Sequence, residues 1–162
     1  MAQRVCPLLV IAILFAPLGA SGATPTEPEL RGELLRMKDA GQAVRDLSLT
    51  AEGEERGHSA VDAVHTARLK STVAARGWPT GAQVGQDGAD AACLLAQHSD
   101  KAPALQRSLA EAMEPLVATG QVKASSYAYL WDHTNDPQRY GTQGRCADMG
   151  HWGYCLAALR AW

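Results

Sequence analysis

A chain of 162 residues with 15 basic and 17 acidic side chains carries a formal charge of −2 and suffices for one domain with a modest core. No basic cluster interrupts that balance, so the electrostatic footprint of a nucleic-acid binder is missing. Nothing beyond the first two dozen residues reaches the length of a membrane span.

Met1 to Arg4 is a short basic start, Val5 to Leu18 is an almost unbroken apolar run, and Gly19 to Ala23 are the small residues a signal peptidase reads. This pattern predicts a secretory signal peptide over residues 1–23, too short for a comfortable span. Ser21 and Ala23 at the −3 and −1 positions put the mature N-terminus at Thr24. A cut after Gly22 is the close alternative, and a retained N-terminal anchor is the competing reading. Cys6 lies far upstream of the cut, so no lipid anchor is expected. The expectation is an exported protein, periplasmic or secreted, free of the membrane after cleavage, with residues 24–162 forming a single domain.

Cys93, Cys146 and Cys155 remain in the mature chain. Export brings an oxidising environment, and Cys146 with Cys155 could staple a small hairpin across a glycine-containing loop. Cys93, between Ala92 and Leu94, reads as a buried apolar residue on a helix.

Along the chain, Thr26 with Glu29 makes a capping box, and Leu30, Leu34, Met37, Val44 and Leu47 fall on one stripe. A helix over residues 28–49 follows, weakened at Gly41. Asp39 and Arg45 on it read as solvated charge. Residues 52–57 read as a charged connector, and a second helix runs from about Ser59 to Gly77 with Val61, Val64, Leu69 and Val73 inward. Asp62 and His65 read as a surface pair on it. Gly77-Trp78-Pro79 forces a turn, with Trp78 plugging a gap between helices.

The stretch from Gly77 to Asp100 organises the rest. Its first half is rich in turn-forming glycine. In its second half Asp87 is a plausible N-cap, and Ala91, Leu94, Leu95 and His98 share a stripe, so the imidazole faces the packed side. Pro103 opens a further helix with Leu105, Leu109, Met113 and Leu116 as its core stripe, which Pro115 should kink or shorten and Gly120 should close. A last helix over residues 121–133 carries Tyr127, Leu130 and Trp131 inward. Asn135-Asp136-Pro137 signals a turn, and the glycine- and aromatic-rich remainder suits an irregular segment or hairpin. The fold class is mostly α: a compact domain of about five helices with a short irregular or hairpin C-terminal segment.

Neither H-E-x-x-H nor a paired C-x-x-C occurs, and histidines 58, 65, 98, 133 and 151 are scattered, so no metal site is expected. No nucleophile elbow or phosphate loop occurs, and no motif names a cofactor. What remains is a set of polar residues on otherwise apolar segments: His98, Asp132 and the run Gln138, Arg139, Tyr140, Gly141, Thr142 and Gln143. A His98–Asp132 pair could run acid–base chemistry, with Tyr140 or Gln143 stabilising charge. The same two residues could instead tie two helices together, with Thr142 and Gln143 capping free backbone groups.

The segments Gly77-Trp78-Pro79-Thr80, Val84-Gly85, Gln97-His98-x-Asp100, Tyr129-Leu130-x-Asp132 and Gln138-x-Tyr140-Gly141-Thr142-Gln143 resemble an uncharacterised bacterial family, domain of unknown function 6624. The resemblance covers about Leu30 to Trp152, and Asp39, Arg45 and the Asp62 helix match it in position. It implies that His98, Asp132 and the Gln138–Gln143 run belong to one shared feature, and it names no activity. His65 stands where an asparagine-like residue is expected, and the end of the chain after Trp152 departs from the family pattern, which also puts the Cys146–Cys155 pair in doubt.

Three functions follow as expectations. The first is a small helical domain that binds a small ligand or protein partner in a polar pocket near His98 and the YGTQ loop, lined by Trp78, Gln138, Tyr140, Thr142 and Gln143. The second is a hydrolase-type enzyme using His98 and Asp132. The third is a structural envelope component.

Overall fold

The computed structural model describes residues 24–47 and 51–143, with the backbone alone for residues 47 and 51–57. The predicted signal peptide, the C-terminal hairpin and the Cys146–Cys155 pair lie outside the described residues. Five helices follow one another: α1 Pro28–Leu47, α2 Ala51–Arg76, α3 Gly81–Gln97, α4 Pro103–Ala118 and α5 Ala124–Thr134. No strand occurs among the described residues, and the domain is mostly α as its periodicity predicts. No described helix is long and apolar enough to cross a membrane.

α3 is the central element: α1 packs along it most extensively, and α2, α4 and α5 all touch it. Its small residues make this possible. Gly88, Ala89, Ala91, Ala92 and Ala96 are buried, and a Cβ on Gly88 would meet Val84 at 2.9 Å and Arg31 of α1 at 3.3 Å. Around it, Leu34, Leu69, Leu109, Met113 and Leu130 are sealed from solvent, each contributing about 2 kcal/mol of burial. Trp78, 3% exposed, joins this core from the α2–α3 turn, which Gly77 makes by adopting a φ of +77°.

Local structure departs from the sequence reading in four places. The charged run over residues 52–57 is helical, so α2 begins at Ala51 and has no connector. Val64, predicted inward, is 68% exposed, because the side of α2 that packs on α1 and α3 carries His65, Leu69 and Thr72. α3 starts at Gly81, capped by Thr80, whose N–H donates to Gln83 Oε1 at 2.9 Å. Asp87 therefore lies inside α3, after a break at Gly85, where φ is +72°. α4 continues through Pro115 to Ala118, since proline so near a helix end forfeits only one backbone bond.

Candidate functional site

Asp132 is 3% exposed on α5, and both its oxygens are taken by the loop that follows. Oδ1 accepts the N–H groups of Arg139 at 2.8 Å and Tyr140 at 3.0 Å. Oδ2 accepts the Thr142 N–H at 2.7 Å and its hydroxyl at 2.9 Å. Burial acts to raise the Asp132 pKa, but these bonds outweigh it and hold the carboxyl below its usual value. A second lock closes the loop: Gln138 Nε2 donates to the Gln143 carbonyl at 2.7 Å, and the Gln143 N–H donates back to Gln138 Oε1 at 3.0 Å. Gly141 turns the chain with a φ of +68°, and the Tyr140 ring packs edge-on against Tyr127 with centroids 5.9 Å apart.

This arrangement corrects the proposed His98–Asp132 pair. The carboxylate is consumed by backbone donors seven to ten residues on, and it does not line the cleft at His98. Gln138, Tyr140, Thr142 and Gln143 hold the loop to α5, and none of them lines the cleft at His98. Trp78 does not line it either, because its indole is buried in the core. The sequence-based picture of one pocket shared by His98 and the YGTQ loop thus separates into two regions.

His98 sits at the end of α3, half-buried, on the wall of a cleft of about 690 Å³. The C-terminal part of α1, the middle of α2 and the α3–α4 turn form the other walls. Arg45 spans the α1–α2 boundary, donating from Nη2 to Asp62 Oδ2 at 2.8 Å and from Nη1 to the Gly41 carbonyl at 2.9 Å. Both side chains of this ion pair are less than a quarter exposed, so solvent screens it less than a surface pair. Behind them His65, 8% exposed, lies beside Gly41, whose missing side chain lets α2 approach α1. Thr66 Oγ1 donates to Ser99 Oγ at 3.0 Å, which donates to the Leu95 carbonyl at 3.0 Å, pinning α2 to the end of α3. On the far side Asp100 Oδ1 meets His133 Nε2 at 2.7 Å, and that imidazole stacks on Tyr129.

One imidazole on this wall is uncommitted, and one nitrogen of a second lacks a partner. Among the described residues neither ring nitrogen of His98 takes a hydrogen bond, and Nε2 of His58 is buried without a partner. Burial pushes the His98 pKa below its ordinary value. Arg45 and His58 push the same way, against Asp62 and Asp100. His65 is likewise lowered, first by burial, then by Arg45 against the pull of Asp62. His98 is thus a neutral imidazole near pH 7, able to donate at one nitrogen and accept at the other. No group of side chains among the described residues has the make-up of a metal site.

The sequence reading takes Arg45 as solvated charge and Asp62 as half of a surface pair with His65, and gives His58, Ser59 and Lys70 no place in a site. The signal that could have found them was positional: Arg45 and the Asp62 helix share the family pattern with His98. Cys93 takes no part. Burial pushes its thiol up to about 11, despite a bond with Ser126, so it is an unreactive core residue.

A search of the curated proteins and of the solved structures finds no match to this chain. The profile of one family, described as a family of unknown function, matches residues 28–150 and so takes in α1 to α5, the cleft and the Asp132 loop. The chain belongs to that family, DUF6624.

Proposed function

We propose that the chain is an exported helical domain that binds a small ligand in the cleft beside His98. The single observation carrying this reading is the uncommitted His98 imidazole on the wall of a cleft of about 690 Å³, a volume in the range of small-molecule sites. An imidazole in that setting gains from a ligand that supplies the hydrogen bonds it lacks. Export rests on the leader-like residues 1–23 and is checked by N-terminal sequencing of the protein recovered from the periplasm or medium, which should begin at Thr24. Binding is checked by NMR: the imidazole Cε1–H signal of His98 should shift on titration with members of a small-molecule library. Shifts confined to surface residues would sink the reading.

A hydrolase remains the second reading, now on different partners. His98 is neutral, reaches solvent, and lies within the electrostatic reach of the carboxylates of Asp62 and Asp100, either of which could orient it as a base. Chromogenic ester, phosphate and peptide substrates, turned over by the wild type and not by His98→Ala, would establish it.

A further inference from the structure

The walls of the cleft carry more specific information than its size. Three cationic side chains line it, Arg45 from α1, Lys70 from α2 and Lys101 from the α3–α4 turn, against two carboxylates, Asp62 and Asp100. By count the lining carries one more cation than anion, on a chain whose net charge is −2. Asp62 and Arg45 offset each other, Asp100 meets His133, and Lys101 has a partner of its own. Among the described residues Lys70 meets no carboxylate. Between the charged groups the surface is apolar, contributed by Ala63, Ala67, Ala102 and Leu105. The first turn of α4 opens here as well, with Ala102 at its N-cap, no capping side chain and Pro103 next.

We propose that the ligand of this cleft is a small organic oxyanion, a carboxylate or phosphate group on a compact apolar body, held by Lys70 and by His98 in its protonated form. The inference rests on the reading of the cleft as a binding site and goes further by naming the chemistry of the ligand. The apolar body lies against the alanine and leucine walls, and the anionic head sits among the ammonium and imidazole groups. His98 shares the cleft with Arg45 from α1, with His58, Asp62 and Lys70 from α2, and with Asp100 and Lys101 from the turn, and Arg45, Asp62, Asp100 and His58 act on its charge. An arriving anion adds negative charge to this set and draws a proton onto the imidazole, which the empty cleft keeps neutral. Binding and proton uptake are therefore coupled.

The test is titration of the mature protein with benzoate, phenyl phosphate, benzyl alcohol and benzylamine, read by calorimetry and by the His98 Cε1–H signal. Benzoate or phenyl phosphate should bind and move that signal, with affinity rising as pH falls from 8 to 6, by at most about tenfold per pH unit for one proton. Lys70→Gln should weaken the anions about threefold and leave benzyl alcohol unchanged, as befits an exposed charge. His98→Asn, chosen to keep a polar side chain that cannot titrate, should abolish the pH dependence, with circular dichroism confirming the fold. If the alcohol binds as tightly as the anions, or the amine binds more tightly, the cleft is a ligand site and the oxyanion assignment is wrong. If none of the four moves the His98 signal at millimolar concentration, both the assignment and the binding-site reading fail. If benzoate binds with no pH dependence, the role given to His98 is overturned.

Discussion

The Asp132 loop and the His98 cleft are both polar clusters built against the ends of helices, and they have opposite hydrogen-bond economies. Around Asp132 every oxygen lone pair that matters is filled from within the chain, by three backbone N–H groups and a hydroxyl. Around His98 the groups are brought together and left incomplete, with the His98 imidazole, Nε2 of His58 and the Lys70 ammonium lacking partners among the described residues. A closed network is a structural device, because it has nothing left to offer a ligand. An open one costs the fold something and is retained where a ligand completes it. The kind of residue does not separate the two cases; the fate of its lone pairs does.

The largest effect is expected at the closed network. Asp132→Asn replaces an oxygen that faces donors by an NH₂ group that is itself a donor, and should cost about 3 kcal/mol in urea unfolding. It should leave the His98 signal in place, whereas a change there would join the two regions again. The same carboxylate gives a pH signature. Its pKa is lower folded than unfolded, so its stabilisation is complete above about pH 4, the unfolded value, and is lost as pH falls through the folded value. The gap in stability between wild type and Asp132→Asn should therefore close in acid. His65 and His98 add a gentler slope at higher pH. Their folded pKa values are also lowered, so they favour the unfolded state as pH drops below about 6.5.

Next in size is Arg45→Gln, which leaves Asp62 half-desolvated without its partner and should cost about 2 kcal/mol by thermal or urea unfolding. Unlike the Asp132 change it should also move the His98 signal, because Arg45 acts on that imidazole directly. The smallest effect is expected at an ordinary surface pair. Lys123→Met breaks the contact with Asp90 at 2.9 Å, where both side chains are 46% exposed, and unfolding should register no more than about 0.5 kcal/mol. An effect of several times that size would mean that the α3–α5 contact carries more of the fold than its exposure suggests.

Much of the fold was legible because apolar spacing on α1, α4 and α5 is regular, and because Gly77, Pro103 and Gly120 punctuate the chain where helices end or begin. The N-terminal half of α2 was not legible. Its charged residues and Gly57 carry no apolar stripe, so its helical state is not written in the period and shows only in good helix formers such as Ala51, Glu54, Glu55 and Arg56. Val64 misled for the same reason, since a valine beside a histidine and an alanine on a weakly amphipathic helix does not announce its face. The candidate site was half legible. His98 and Asp132 stand out in the sequence as polar residues on apolar segments, and the structure puts one on the cleft wall and buries the other. Their separation was invisible, because the partners of Asp132 are backbone N–H groups, which every sequence offers equally. The Arg45–Asp62 pair was missed because two charges seventeen positions apart meet only when α1 and α2 cross.

That crossing turns on Gly41, and Gly41 has a consequence for anyone who would make the protein more robust. Replacing a mid-helix glycine by alanine is the standard improvement, worth up to about 1 kcal/mol of helix propensity. Here the added methyl would come within 3.3 Å of the Arg45 guanidinium and 3.8 Å of the His65 ring. The arginine would have to shift, and with it the electrostatic wall seen by His98. Gly41→Ala should therefore leave the unfolding midpoint close to wild type and yet displace the His98 resonance. A stabilisation campaign scored on melting temperature alone would accept that exchange without noticing what was traded away.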